Sequence, residues 1–132
     1  MKRLIALLVL VGLVVAACGG SATATFDLVS PAEAQEILDD PPSGLVVLDV
    51  RTPEEFSGPH LSDSVNIDFY DSYFQSRLDV LDKDTPYLIY CNSGNRSGTT
   101  IDIMKDLGFS EVYDVDGGIT AWLGAGLPTI TE

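Results

Sequence analysis

The residues best suited to do chemistry lie in one short stretch, Cys91-Asn92-Ser93-Gly94-Asn95-Arg96-Ser97. It follows the apolar run Tyr87-Leu88-Ile89-Tyr90 directly and leads into a segment of helical periodicity, Ser97 to Leu107. A cysteine between a strand end and a helix start faces unpaired backbone N–H groups, which favour thiolate over thiol. Gly94 admits the backbone conformations that let successive N–H groups converge into an anion-binding nest. Arg96 adds a cation nearby. The plainer alternative is a small core cysteine in a strand-end turn. Strand, cysteine, glycine loop, arginine and helix together favour a nucleophile held in an anion cradle.

The rest of the chain must position this loop. Phe26–Val29 reads as a short strand, and Ser30-Pro31 opens a helix to about Leu38, with serine as N-cap and proline at the first helical position. Leu45–Val50 is a continuous apolar run, suited to a parallel strand buried on both faces. Thr52 and Glu55 have capping-box spacing. Ser64–Ile67 reads as a brief strand, and Asp71–Leu81 as a helix with Tyr73, Phe74, Leu78 and Leu81 on one side. In the segment from Ser97, Ile101, Met104 and Leu107 face inward and Gly108 stops the helix. Glu111–Val115 is another strand, Gly117-Gly118 a turn, and Ile119, Trp122 and Leu123 the apolar side of a last helix. Strands alternating with helices predict an α/β domain, a small mostly parallel sheet flanked by helices on both faces. Ligands of such sheets bind at the carboxyl ends of the strands, where Cys91 falls.

Composition narrows the function. The 132 residues suffice for one domain, and 20 Asp+Glu against 7 Lys+Arg give a net charge of -13. That balance excludes nucleic-acid binding and recruitment to anionic lipid by a basic patch. Two cysteines and one histidine are too few for a four-ligand Cys/His metal site, so neither metal nor cofactor is expected. Asp102 and Asp106 read as solvated surface and Trp122 as core.

At the N-terminus, Lys2 and Arg3 precede the apolar stretch Leu4–Ala17, which fits a secretory signal better than the roughly 20 residues of a membrane span. Val15-Ala16-Ala17-Cys18 resembles the lipobox of bacterial lipoproteins. The resemblance implies a signal peptide at 1–17 and a flexible tether at 18–25 beginning with lipidated Cys18. The domain then occupies 26–132, lipid-anchored on the extracytoplasmic side of a bacterial membrane. Processing would remove Lys2 and Arg3, taking the net charge to −15. It would also leave Cys91 as the one free thiol of an exported protein, which marks it as reactive.

Four residues, Asn92 to Asn95, separate Cys91 from Arg96. Cradles of the tyrosine-phosphatase type have five, so this ring of amides is smaller and suits a single sulfur atom better than a tetrahedral oxyanion. The chain resembles the single-domain rhodaneses, a sulfurtransferase family, over about Phe26 to Pro128. The matching blocks are Leu48-Asp49-Val50-Arg51 with Glu54-Glu55-Phe56, then Val65-Asn66-Ile67, the Cys91–Ser97 loop, and Asp116-Gly117-Gly118-Ile119 with Trp122. One block departs: Gly58-Pro59-His60-Leu61-Ser62-Asp63-Ser64 carries an inserted proline and lacks the family's small Gly-Ala pair.

The resemblance implies that Cys91 takes a sulfane sulfur from a donor such as thiosulfate or polysulfide. It then passes the sulfur from a persulfide to a thiol, to cyanide, or to a persulfide-carrying protein. Arg96 joins Cys91 as catalytic, holding the loop or meeting an anionic donor. Asn92, Ser93, Gly94, Asn95 and Ser97 bind substrate, Ser97 having a helix N-cap as its alternative. Asp49 supports the site, and Arg51 does so with donor binding as a further role. His60 reads as a hydrogen-bonded loop residue rather than a base. The competing functions are a non-catalytic binding or redox-sensing module of the same fold, and a cysteine-dependent phosphatase or arsenate reductase, which loop length disfavours.

Overall fold

The apolar runs expected to be buried strands lie side by side in the middle of a five-stranded sheet. A computed structural model describes residues 22–131; the expected signal peptide and the expected lipidation of Cys18 fall outside the described residues. The strands are β1 (Thr25–Val29), β2 (Val46–Asp49), β3 (Val65–Asn66), β4 (Tyr87–Tyr90) and β5 (Glu111–Val115), in the order β1-β5-β4-β2-β3. Every pairing between them is parallel. Four of the intervening segments are the helices α1 (Pro31–Asp39), α2 (Pro53–Phe56), α3 (Phe74–Asp79) and α4 (Asn95–Leu107), and α5 (Gly118–Gly124) follows β5.

The sheet divides the core by the two-residue alternation of strand side chains. Leu48, Val50, Tyr87, Ile89, Cys91 and Val112 point to one face, where they pack with Phe74 and Leu78 of α3 and Met104 of α4. Val29, Val47, Leu88, Tyr90 and Val115 point to the other, against Ala34 of α1 and Ile119 and Trp122 of α5. The α/β class and helices on both faces are as the sequence predicts. All four residues of β4 are buried because helices cover the sheet on both sides.

Two helices differ from expectation. The segment 71–81 is helical only over Phe74–Asp79. Asp71 Oδ1 accepts the Tyr73 N–H at 2.8 Å, an Asx turn that replaces the first helical turn and leaves Tyr73 exposed. Helix α4 begins at Asn95, two residues before Ser97, because Gly94 takes a left-handed conformation (φ 100) and serves as the cap itself. Ser97 therefore is no N-cap; it sits inside the first turn, fully buried. Leu123, expected on the apolar side of the last helix, is exposed.

Candidate active site

Cys91 is the first residue after β4, and its side chain continues that strand's α4-facing row. Its Sγ accepts the Gly94 N–H at 3.1 Å and lies 3.5 Å from Ser97 Oγ. Burial pushes the thiol pKa up. The Ser97 hydroxyl and the backbone amides of Ser97, Gly94 and Ser93 more than offset this, holding the thiol below its ordinary value. The cradle is thus three amides and one hydroxyl at the start of a 13-residue helix, whose dipole adds in the same direction.

The loop is held from below by α5. The Ile119 N–H donates to Cys91 O at 2.9 Å and the Thr120 N–H to Asn92 O at 3.1 Å. Gly118 makes this approach possible: a Cβ there would stand 2.5 Å from Cys91 O and 2.7 Å from the Asn92 carbonyl. Gly118 also has φ 59, a conformation that side chains disfavour.

Arg96 reaches from the first turn of α4 to α2. Its guanidinium grips Glu55 of α2 in a two-pronged pair, Nη1 to Oε2 at 2.7 Å and Nη2 to Oε1 at 2.8 Å. The Arg96 hydrogen bonds, helped by burial-opposing bonds from Thr52, hold the Glu55 carboxyl down at about 2. Glu55 also completes its capping box, Oε2 accepting the Thr52 N–H at 3.0 Å. One carboxylate therefore ties α2 to the first turn of α4. The exposed ring of Tyr70 lies 5.6 Å from the Arg96 guanidinium and walls the same side.

Asp49 and Arg51 belong to the opposite face of the sheet. Their side chains follow Val47, which packs against α1 and α5, whereas Cys91 packs against α3 and α4. Arg51 pairs with fully buried Asp49 (Nη2–Oδ2 2.7 Å) and donates to Pro59 O at 3.0 Å. These bonds support the strand end from within, as expected of Asp49 and Arg51. Asn66 pins the same strand end, its Nδ2 donating to Asp49 O and Arg51 O.

The remaining expected residues divide. Ser93, Gly94 and Ser97 converge on the sulfur through their amides. Asn92 and Asn95 have exposed side chains, and Asn92 Oδ1 accepts from Thr120 Oγ1 at 3.4 Å instead. His60 is buried, stacked on Phe56 at 4.2 Å, its Nδ1 2.9 Å from Gly58 O, and its backbone bridges to Ile130. It is a hydrogen-bonded loop residue. Sequence reasoning missed Glu55, Tyr70 and Gly118 as parts of the site. The capping box marked Glu55 as a local cap, but no local signal pairs it with a residue 41 positions away.

Fold and site define a class: an α/β domain presenting a thiolate-prone cysteine in a backbone-amide cradle at the carboxyl edge of a parallel sheet. Residues 30–125 match the family model described as "Rhodanese-like domain". The chain is 36% identical over 98 residues to the thiosulfate sulfurtransferase GlpE of Ectopseudomonas mendocina, covering 74% of this chain and 84% of the relative. It is 32% identical over 98 residues to GlpE of Pseudomonas aeruginosa, with the same coverage. The crystal structure of a rhodanese-related protein from Thermoplasma volcanium superposes with a TM-score of 0.70 at 30% identity, over 80% of this chain and 99% of that one. The chain belongs to the rhodanese-like family of sulfurtransferases.

Proposed function

We propose that this protein is an extracytoplasmic, lipid-anchored sulfurtransferase that carries a sulfane sulfur on Cys91. In the first half-reaction the Cys91 thiolate attacks the outer sulfur of the donor. A new S–S bond forms to Cys91, the donor's own S–S bond breaks, and its electron pair leaves with sulfite when the donor is thiosulfate. In the second, an acceptor thiolate or cyanide attacks the outer sulfur of the persulfide, and the pair returns to Cys91. The transfer is covalent catalysis in two displacement steps. The observation carrying this reading is the four-residue loop whose amides point at Sγ. These donors are preorganised for negative charge on sulfur and need no general base.

The charges bear on the donor. All five Lys and Arg side chains among the described residues are in ion pairs: Arg51–Asp49, Arg77–Asp71, Lys83–Asp79, Arg96–Glu55 and Lys105–Asp102. Donor binding in this proposal falls to backbone dipoles, which favours a polysulfide or a protein persulfide of low charge over a dianion. The lipid anchor rests on the Val15–Cys18 resemblance. Cys18→Ala in the full chain should release the protein from the membrane fraction.

Intact-mass measurement after exposure to thiosulfate or polysulfide tests the activity. Gain of one sulfur, removed by cyanide and absent in Cys91→Ser, supports it. Steady turnover of a phosphate ester with no sulfur gain would sink it.

A further inference from the structure

Edge strand β1 and helix α4 leave a cleft of about 170 Å³ between them, lined by Phe26, Leu28, Gly98, Ile101, Lys105 and Asp114. Gly98, Ile101 and Lys105 are spaced three and four residues apart, so they share the side of α4 turned to β1. Phe26 and Leu28 pair in register with Val112 and Asp114 of β5. Val112 packs on the α4 face, so strand alternation sets Asp114 and Leu28 on that face as well. The walls are apolar: Phe26 and Ile101 are half-buried, and Leu28 is exposed. Asp114 is only 5% exposed, and its Oδ1 is buried with no hydrogen-bond partner among the described residues. A carboxyl group in such a place is costly to leave unmatched.

We propose that this cleft is a binding site for a short-chain organic cation, its ammonium head on Asp114 and its hydrocarbon tail along Phe26, Leu28 and Ile101. The head supplies both the positive charge and the N–H donors that Asp114 lacks, and the tail covers apolar wall that water now meets. The volume equals that of about five or six waters, which suits a head with a tail of about four carbons. Among the described residues no three His, Cys, Asp or Glu side chains gather as metal ligands, so one carboxyl between apolar walls fits an organic cation better than a metal ion. The cleft shares no lining residue with the Cys91 cradle, and the proposal stands apart from sulfur transfer.

The surrounding charges leave Asp114 to the ligand. Lys105 is engaged elsewhere, 3.7 Å from Asp102 and over the Phe26 ring, and forms no ion pair with Asp114. Asp27 of β1 also borders the cleft, but alternation turns its side chain to the opposite face, with Val29. The other titratable groups on the strands beside it are Cys91 after β4 and Asp116 after β5. Burial pushes the Asp114 carboxyl up to about 6, the Ser97 hydroxyl opposing this and the charge of Asp116 adding to it. The cation binds the ionised form. Its affinity should be nearly full about one unit above that value and about tenfold weaker one unit below it.

The test is a titration of the full chain with n-butylammonium, read as nuclear magnetic resonance shifts of the Gly98, Ile101 and Asp114 amides. Butan-1-ol, of the same shape without the charge, is the comparison. Butylammonium should saturate these shifts with a Kd on the order of 1 mM, and the alcohol should bind at least about tenfold more weakly. Asp114→Asn keeps the shape and should abolish that preference. Gly98→Leu leaves the carboxyl intact and fills the cleft from a position with nothing within 4 Å of its Cβ, so it should block both molecules. Equal affinity for the two molecules overturns the proposal, as does a preference that survives Asp114→Asn or binding that survives Gly98→Leu. So does the absence of saturation at about fifty times the expected Kd.

Discussion

Substituting Gly118 by alanine should damage the site without touching any reacting atom. The new Cβ would lie 2.5 Å from Cys91 O and 2.7 Å from the Asn92 carbonyl carbon and oxygen, about 0.9 Å short of ordinary contact at the closest point. These are backbone atoms of the catalytic loop, so no side chain can swing aside. Holding alanine at φ 59 costs about 1–2 kcal/mol. The two hydrogen bonds that α5 gives the loop, Ile119 to Cys91 O and Thr120 to Asn92 O, are worth about 1 kcal/mol each and would be stretched. Gly118→Ala should therefore lose about 2–4 kcal/mol in urea unfolding. If the loop yields by nearly 1 Å, the persulfide-loading rate should fall on the order of 100-fold. Gly98→Ala is the internal control: nothing stands within 4 Å of its Cβ and it lies within α4, so alanine should be neutral or stabilise by up to about 1 kcal/mol. A Gly118→Ala protein within about 0.5 kcal/mol of wild type that loads sulfur at the wild-type rate would refute the reasoning.

Two further outcomes follow from charge. Glu55→Gln should cost about 0.5–1 kcal/mol at neutral pH, a modest figure because the Glu55 side chain is a third exposed. The Glu55 carboxyl is depressed from 4.5 to about 2 in the folded protein, so its contribution is complete above 4.5 and disappears as pH falls through 2. Thermal melts of variant and wild type should converge over that window, and a gap that persists at its lower end would separate the stability effect from the ion pair. Added salt should lower the apparent KM for thiosulfate, since screening over roughly 10 Å at 0.1 M weakens repulsion between a dianion and a chain of net charge -13 with its described cations all paired. Steady-state kinetics across ionic strength checks this; a KM that climbs with salt would mean that local attraction dominates.

Much of the architecture was legible from local pattern. The apolar runs at 45–50 and 87–90 announce strands buried on both faces, and their alternation with helices requires a parallel sheet. A cysteine at the end of such a strand, followed by a glycine loop and a helix, places a nucleophile among free amides on stereochemical grounds alone. The Asx turn at Asp71 was missed because helical periodicity and a side chain capturing its own backbone compete within the same few residues.

What the chain alone determined is therefore whatever depends on neighbours along it: the strands, the helix caps at Ser30 and Thr52, the cradle around Cys91 and its length. Only the tertiary structure decided how distant segments share their charges and space. Sheet alternation sends Arg51 and Asp49 to the face away from Cys91, although in sequence they look like parts of one site. The pairing of β2 with β4 sets the segments that follow them side by side and brings Glu55 to Arg96, which clamps α2 to the first turn of α4. The turn after β5 presses Gly118 against the loop. Periodicity encodes which residues face inward. Which buried groups then meet depends on strand order and register, and these are settled by packing across the whole sheet.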